Sequence, residues 1–148
     1  MNADKMNAFH KQKLAEHVAA VNKFAAKIGT RYPAHDADKF ADPLLSQIAP
    51  MMWCRYNNIK TPNPVFQRAA MAMANHKRAT AHHPEHWKNI ADMPDDAIAE
   101  MCCDWCARGR YTSPWRFYSE YAQSKYKFTA RQQELINDLL TKLWGNCE

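Results

Sequence analysis

The sequence predicts an all-α, compact single domain of five or six helices, and three observations carry that prediction. Apolar residues recur at i, i+3 and i+4 spacings, helix start and stop signals flank those stretches, and no alternating run of strand length occurs. Glycine is scarce, at three residues in 148, where average usage would give roughly ten. That scarcity disfavours sandwiches and barrels with many tight turns. Gly29, Gly109 and Gly145 also cannot be arranged into a GxGxxG or GxxxxGK[ST] phosphate loop. The whole chain, 1–148, reads as one domain, long enough to bury about 68–70% of the surface its unfolded form exposes. Its 47% apolar and 24% charged content matches a globular chain and excludes a disordered or fibrous one.

Each element follows from local signals. From about Ala8 to Ile28, Leu14, His17, Val21 and Phe24 share one helical face, and Gly29 supplies a C-terminal stop. In HDADKFADPLLSQIAPMMWCRYNN, Pro43 and Pro50 are expected to divide the segment into short helices, because proline lacks an N–H and crowds the preceding turn. Asn63 is expected to cap a helix that opens on Pro64 and runs through VFQRAAMAMANHKRA. The stretch TAHHPEHWKNIADM lacks a sustained period and reads as a histidine-bearing loop with one short turn after Pro84. Pro94, followed by Asp95 and Asp96, opens the next helix with acids at the positive end of its dipole, and Gly109 closes it after Arg108. Thr129 and Gln132 form a capping box for a last helix carrying Leu135, Ile136, Leu139, Leu140 and Leu143.

Twenty basic against fifteen acidic side chains leave a formal charge of +5. That favours anionic partners, whether a phosphorylated small molecule or nucleic acid. The opening MNADKMNAFHKQKL has no apolar signal core, and no apolar run approaches the roughly 18 residues of a membrane span. The expectation is a cytoplasmic protein with no membrane partner. Five cysteines, an odd number without a signal peptide, point to reduced thiols rather than a disulfide framework.

Four places in the chain offer metal-ligating chemistry: His17, the adjacent His35 and Asp36, the cluster from His76 to His83, and Asp104. A divalent cation is held by neutral imidazoles and deprotonated carboxylates converging from different elements. Taken alone, His17 is a core histidine and Asp36 a helix cap. Taken together they read as ligands. Glu100 and Asp104, at i and i+4, share a helix face, and an acidic pair buried there is costly unless a cation offsets it.

HDADKF, HKRATAHHPEHW and EMCCDWCA, in the order His, His-Asp, further His, Asp, resemble the HD-domain metal-dependent phosphohydrolase superfamily. More closely they look like an uncharacterised phage and bacterial family of HD-like proteins with H-D-x-x-K-F, H-x-x-x-N-P-H-H-P-E and E-M-x-x-D-W motifs. Thr80 and Ala81 stand where that family has Asn-Pro. The resemblance spans roughly His17 to Trp105. It implies an HD-domain-like fold, with His17, His35, Asp36 and Asp104 as metal ligands. His76 and either His82 or His83, with His83 preferred, would serve a second metal. One or two divalent cations are implied, drawn from manganese, iron, zinc, cobalt or magnesium. The implied activity is hydrolysis of a nucleotide or related phosphate ester in the cytoplasm, the host's if the chain is phage-encoded. Glu100 would then orient a ligand histidine or take a proton from water, and Lys39 would act beside it. Lys77 and Arg78 would bind substrate and stabilise the transferring phosphoryl group.

A rival, non-enzymatic reading is a basic helical protein, zinc-stabilised, that binds nucleic acid or a host protein. It draws on Cys102, Cys103 and Cys106 with His82 and His86, and on Trp115, Phe117, Tyr118 and Tyr121 near Arg108, Arg110 and Arg116 as stacking groups. The simpler account makes the cysteines small buried hydrophobes and Trp53, Trp87, Trp105, Trp115 and Trp144 core residues. His10 and His86 are expected at the surface.

Overall fold

The computed structural model describes residues 2–147, and among them no strand forms. The helices are α1 (Ala3–Ala26), α2 (Leu44–Tyr56), α3 (Asn63–Ala79), α4 (Asp95–Ala107), α5 (Pro114–Phe117), α6 (Gln123–Tyr126) and α7 (Ala130–Leu143). A π-helical turn, Tyr118–Ala122, joins α5 to α6 in one rod, so the compact domain has six helical bodies. Short 3-10 turns occur at Ala37–Phe40, Pro84–His86 and Ile90–Asp92.

α1 starts earlier than its apolar face requires, because Asn2 Oδ1 accepts the Lys5 N–H at 2.9 Å and caps a solvated first turn. It ends as Gly29 implies. Gly29 sits at φ +72° while Thr30 N–H donates to Ala25 O and Gly29 N–H to Ala26 O, the paired bonds of a Schellman end.

α2 corrects the expected break at Pro50, since the helix runs through it. Leu45, Ile48, Ala49 and Met51 are buried on both sides of the proline, and their packing outweighs one missing hydrogen bond. Asn63 is also corrected: it is the first helical residue, behind Pro62, and no side chain caps that end. Two prolines with fixed φ set the entry without a capping bond. The Thr129–Gln132 capping box is present in both directions.

α4 is the central element, packed on α1 and α7, and it is buried from Met101 to Cys106. Its apolar side meets Val21 and Ala25 of α1 and Ile136 and Leu140 of α7. Trp105 and Trp115 lie in that core, Trp53 and Trp87 are half-buried, and Trp144, expected inside, is 37% exposed. Trp144 nonetheless explains Gly109: a Cβ there would meet its ring at 2.3 Å. No helix among the described residues is long and apolar enough to cross a membrane.

Candidate metal centre

The second face of α4 positions Glu100 and Asp104 opposite three other chain segments. Asn22 of α1 accepts the Tyr32 N–H at 2.7 Å and donates to Tyr32 O at 3.0 Å, which anchors the loop leading to His35. Asp36 then adopts φ +53°, a left-handed conformation that aspartate tolerates better than most residues. The turn leaves the consecutive His35 and Asp36 both buried, at 2% and 4% exposure. α1 brings His17, the last turn of α3 brings His76, and the loop behind it brings His82 and His83.

These side chains fall into three overlapping groups: Asp36 with His76, His82 and His83; His17 with His35 and Asp104; and His35 with His82 and Glu100. Within each group the ligating atoms lie within 4.8 Å of one another. His17 Nε2 is 2.8 Å from Asp104 Oδ1, and His35 Nε2 is 3.5 Å from Asp36 Oδ2 and 3.7 Å from Asp104 Oδ1. Asp36 Oδ1 lies 3.1 Å from His76 Nε2 and 3.3 Å from His82 Nε2. Asp36 therefore stands between two sets of donors, one oxygen toward each.

The tautomers make this convergence chemically specific. His35 Nδ1–H donates to Glu100 Oε1 at 2.9 Å, and His76 Nδ1–H donates to Asp38 Oδ2 at 2.7 Å. His82 Nδ1 lies 3.2 Å from the same Glu100 oxygen. With Nδ1 engaged in this way, each ring turns its Nε2 toward the Asp36 carboxylate, where it can give a lone pair to a cation once its own proton is displaced. Lone pairs facing an anion repel unless a cation or a proton lies between them. His35 Nε2, Asp36 Oδ1 and His82 Nε2 are buried atoms without a hydrogen-bond partner. Ligands held at 2.0–2.2 Å around one cation stand roughly 3–3.6 Å apart, close to the separations across Asp36. The donor set fits a divalent cation.

Without a cation, a proton takes its place on His35. Burial lowers His35, but hydrogen bonds to Asp104 and Glu100 outweigh it and the pKa rises to about 9. Against burial, which raises them, His76 and His82 hold Asp36 far below the carboxylate range, and Arg108 with His17 and His35 does the same for Asp104. Glu100 is lowered to about 2, again against burial, by His35 and His82. Burial and the neighbouring His82 push His83 down to about 3, so its imidazole is neutral and free to ligate.

The structure brings together His17, His35, Asp36, His76, His83, Asp104 and Glu100, and it adds His82. The expectation that only one of the adjacent His82 and His83 would point inward is corrected. His82 faces Asp36 and Glu100, while His83 Nε2 lies 3.2 Å from His76 Nε2. Asp38, which supports His76, was missed although it lies in the same HDADKF motif.

A cleft of about 500 Å³ opens onto His17, Asp36, His83 and Asp104. Lys39 and Lys77 line it, and Lys39 Nζ donates to Asp36 Oδ2 at 2.8 Å. Arg78 does not line it; its guanidinium donates to Asn75 and faces a neighbouring groove, because one residue further on α3 turns about 100° around the helix. Lys13, Arg108 and Arg110 line the cleft instead. His10, expected at the surface, is buried at 3% exposure in the same wall. His86 is exposed and its Nδ1–H donates to Arg78 O rather than joining a cysteine pair. Cys102, Cys103 and Cys106 are core residues, and among the described residues no cysteine joins a ligand group.

Fold and chamber together define an all-helical protein with a buried histidine–carboxylate cluster able to hold a metal ion. The chain belongs to DUF5662, a family of unknown function, whose model matches residues 6–144. No curated protein and no solved structure matches it.

Proposed function

We propose that this protein is an HD-like, metal-dependent phosphohydrolase acting in the cytoplasm on a nucleotide or related phosphate ester. The observation that carries the reading is the convergence of three histidine Nε2 atoms on the buried Asp36 carboxylate, at the foot of a cleft bordered by cations. His17, His35 and Asp104 would hold one divalent cation and His76, His82 and His83 a second, with Asp36 shared between them. Such a cation supplies Lewis acidity toward a phosphoryl oxygen and lowers the pKa of water.

The chain's own residues do the rest. Glu100 fixes the tautomers of His35 and His82, so it acts as a positioning carboxylate. Lys39, Lys77 and Arg108 present positive charge to the phosphate end of a substrate, where charge spreads during transfer. Leu14, Ile48 and Met52 give the remainder of the cleft an apolar wall.

The test is metal analysis of the purified chain followed by hydrolysis of a nucleotide panel with manganese. His35→Ala and Asp104→Ala are each expected to lose bound metal and turnover together. Turnover unaffected by both substitutions would remove the mechanism.

A second reading, nucleic-acid binding, is favoured by one observation: Tyr111 and Tyr121 are exposed, with Arg110 4.8 Å from the first ring and Lys125 5.2 Å from the second. It requires affinity that falls steeply with salt.

A further inference from the structure

The cleft has two chemically different ends. One holds the histidines and carboxylates; the other is formed by His10, Lys13, Tyr56, Arg110 and Tyr111. On α1, His10, Leu14 and His17 follow at i, i+4 and i+7, so one face of one helix runs from end to end. Seven residues span roughly 10 Å along a helix. That is the reach of a phosphate, a sugar and one ring in sequence.

Nothing in the metal chemistry uses the His10 end, yet it is built. His10 is 3% exposed, and neither ring nitrogen has a hydrogen-bond partner. A buried imidazole left in that state forfeits the hydrogen bonds it made with water, a loss that a ligand's polar edge would restore. Burial first, and Lys39 second, push its pKa down to about 4, so the ring is neutral near pH 7 and offers one donor and one acceptor. Two tyrosines that meet each other, Tyr56 and Tyr111, line the same part of the cleft. Tyr56 is 39% and Tyr111 68% exposed, with the Lys13 ammonium 5.0 Å from the first ring centre and the Arg110 guanidinium 4.8 Å from the second. Leu14, Ile48 and Met52 make the wall between the two ends apolar.

We propose that this end of the cleft is a specificity subsite for a planar heteroaromatic ring, so that the substrate is a nucleoside monophosphate with its base packed on Tyr56 and Tyr111 and its polar edge against His10. The assignment rests on the phosphohydrolase reading for the position of the phosphate. A ring stacked on tyrosine keeps its apolar faces from water, while a donor–acceptor edge meets the one buried side chain that can answer both. A base-free ester such as glycerol phosphate fills only the end beside Lys39, Lys77 and Arg108. Tyr56, Tyr111 and His10 act here through the unreacting part of the substrate, so they set KM more than kcat.

The experiment is calorimetric titration of the full chain, loaded with manganese, with four nucleoside monophosphates and with glycerol phosphate, alongside steady-state hydrolysis of each. Tyr111→Ala, which alters an exposed side chain, and His10→Leu, which removes an unsatisfied buried ring, both leave the fold intact. Each is expected to weaken nucleoside monophosphate binding about tenfold or more, as loss of one stacking or hydrogen-bonding partner does. Glycerol phosphate binding is expected to stay within twofold. Equal wild-type affinity for glycerol phosphate and every nucleotide overturns the subsite, as do equal losses for both ligands in the variants or no nucleotide binding at millimolar concentration. If no ester is turned over, the hydrolase reading fails, yet the binding comparison still decides the subsite. If glycerol phosphate is hydrolysed with the same KM as nucleotides, the subsite fails and the hydrolase reading stands.

Discussion

The two faces of α4 treat buried polar groups in opposite ways. On the side toward α7, Gln132 is 1% exposed and fully employed: its Nε2 donates to Ile90 O at 2.7 Å and its Oε1 accepts the Thr129 N–H at 3.0 Å. On the side toward α1 and α3, His35, Asp36 and His82 are buried as deeply, yet each keeps a ring nitrogen or carboxylate oxygen without a partner. One helix therefore borders both a polar contact that is complete and a polar chamber that is not. Buried polar atoms without a partner also occur at His10, Glu85 and Gln123, but in this chamber they belong to imidazoles and a carboxylate that face one another. Burial of that kind calls for positive charge among the carboxylates, from Lys39 and a protonated His35 or from a cation.

The sharpest way to break the contrast is to alter each side separately. Asp36→Asn is expected to lower hydrolysis and metal occupancy by more than about 100-fold, since supporting partners alone are worth about 10–100-fold, and to weaken the metal-free fold, because Lys39, His76 and His82 lose their anion. Gln132→Ala is expected to cost about 1–3 kcal/mol in urea denaturation, by stranding the partners it now satisfies, with unchanged metal loading. Metal loss in the glutamine variant, or unimpaired loading in the aspartate variant, would dissolve the distinction.

A smaller effect should appear with pH. His35, raised from 6.5 to about 9, contributes stability that is fully present below pH 6.5 and is lost as pH rises through 9. Glu100, lowered from 4.5 to about 2, contributes stability present above pH 4.5 and lost as pH falls through 2. Without metal the chamber should thus be most favourable between pH 4.5 and 6.5 and should weaken toward pH 9. A divalent cation competes with the His35 proton, so its stabilisation should grow over the upper range, reaching about 2.7 kcal/mol at a hundredfold excess over Kd. Denaturation curves in chelator that steepen in favour of the fold from pH 6.5 to 9 would contradict the linkage.

The smallest effect separates two arginines. Arg108→Ala should raise KM for a phosphate ester severalfold, because Arg108 lines the cleft 3.6 Å from Asp104. Arg78→Ala should change it by less than about twofold, as for an exposed surface charge. Equal effects in steady-state kinetics would mean that the cationic end of the cleft has been drawn too narrowly.

Much of this was legible in the sequence because it depends on local rules. The Schellman end at Gly29, the Thr129–Gln132 box and the acids opening α4 are set by neighbours within a turn. The i, i+4 pair of Glu100 and Asp104 likewise shares a face by helix geometry alone. Pro50 was misjudged because packing of Ile48 and Met51 overrides a local penalty. The inward pointing of both His82 and His83 depends on a non-periodic loop, and no spacing rule reports which way such side chains turn. Lys13 and Arg110 reach the cleft from α1 and from the turn after α4, far from the ligand motifs in sequence. His10 had a signal that was available: it continues the stripe of Leu14 and His17 back by one turn.

The left-handed backbone at Asp36 constrains how the centre can be dissected. Asparagine shares aspartate's ease in that conformation, whereas valine, isoleucine or threonine would strain the main chain before any charge was lost. A β-branched replacement that failed to express would report on steric cost alone. Only the isosteric amide isolates the anion, and a mutational screen that ranks this position by tolerance will mistake a backbone requirement for a chemical one.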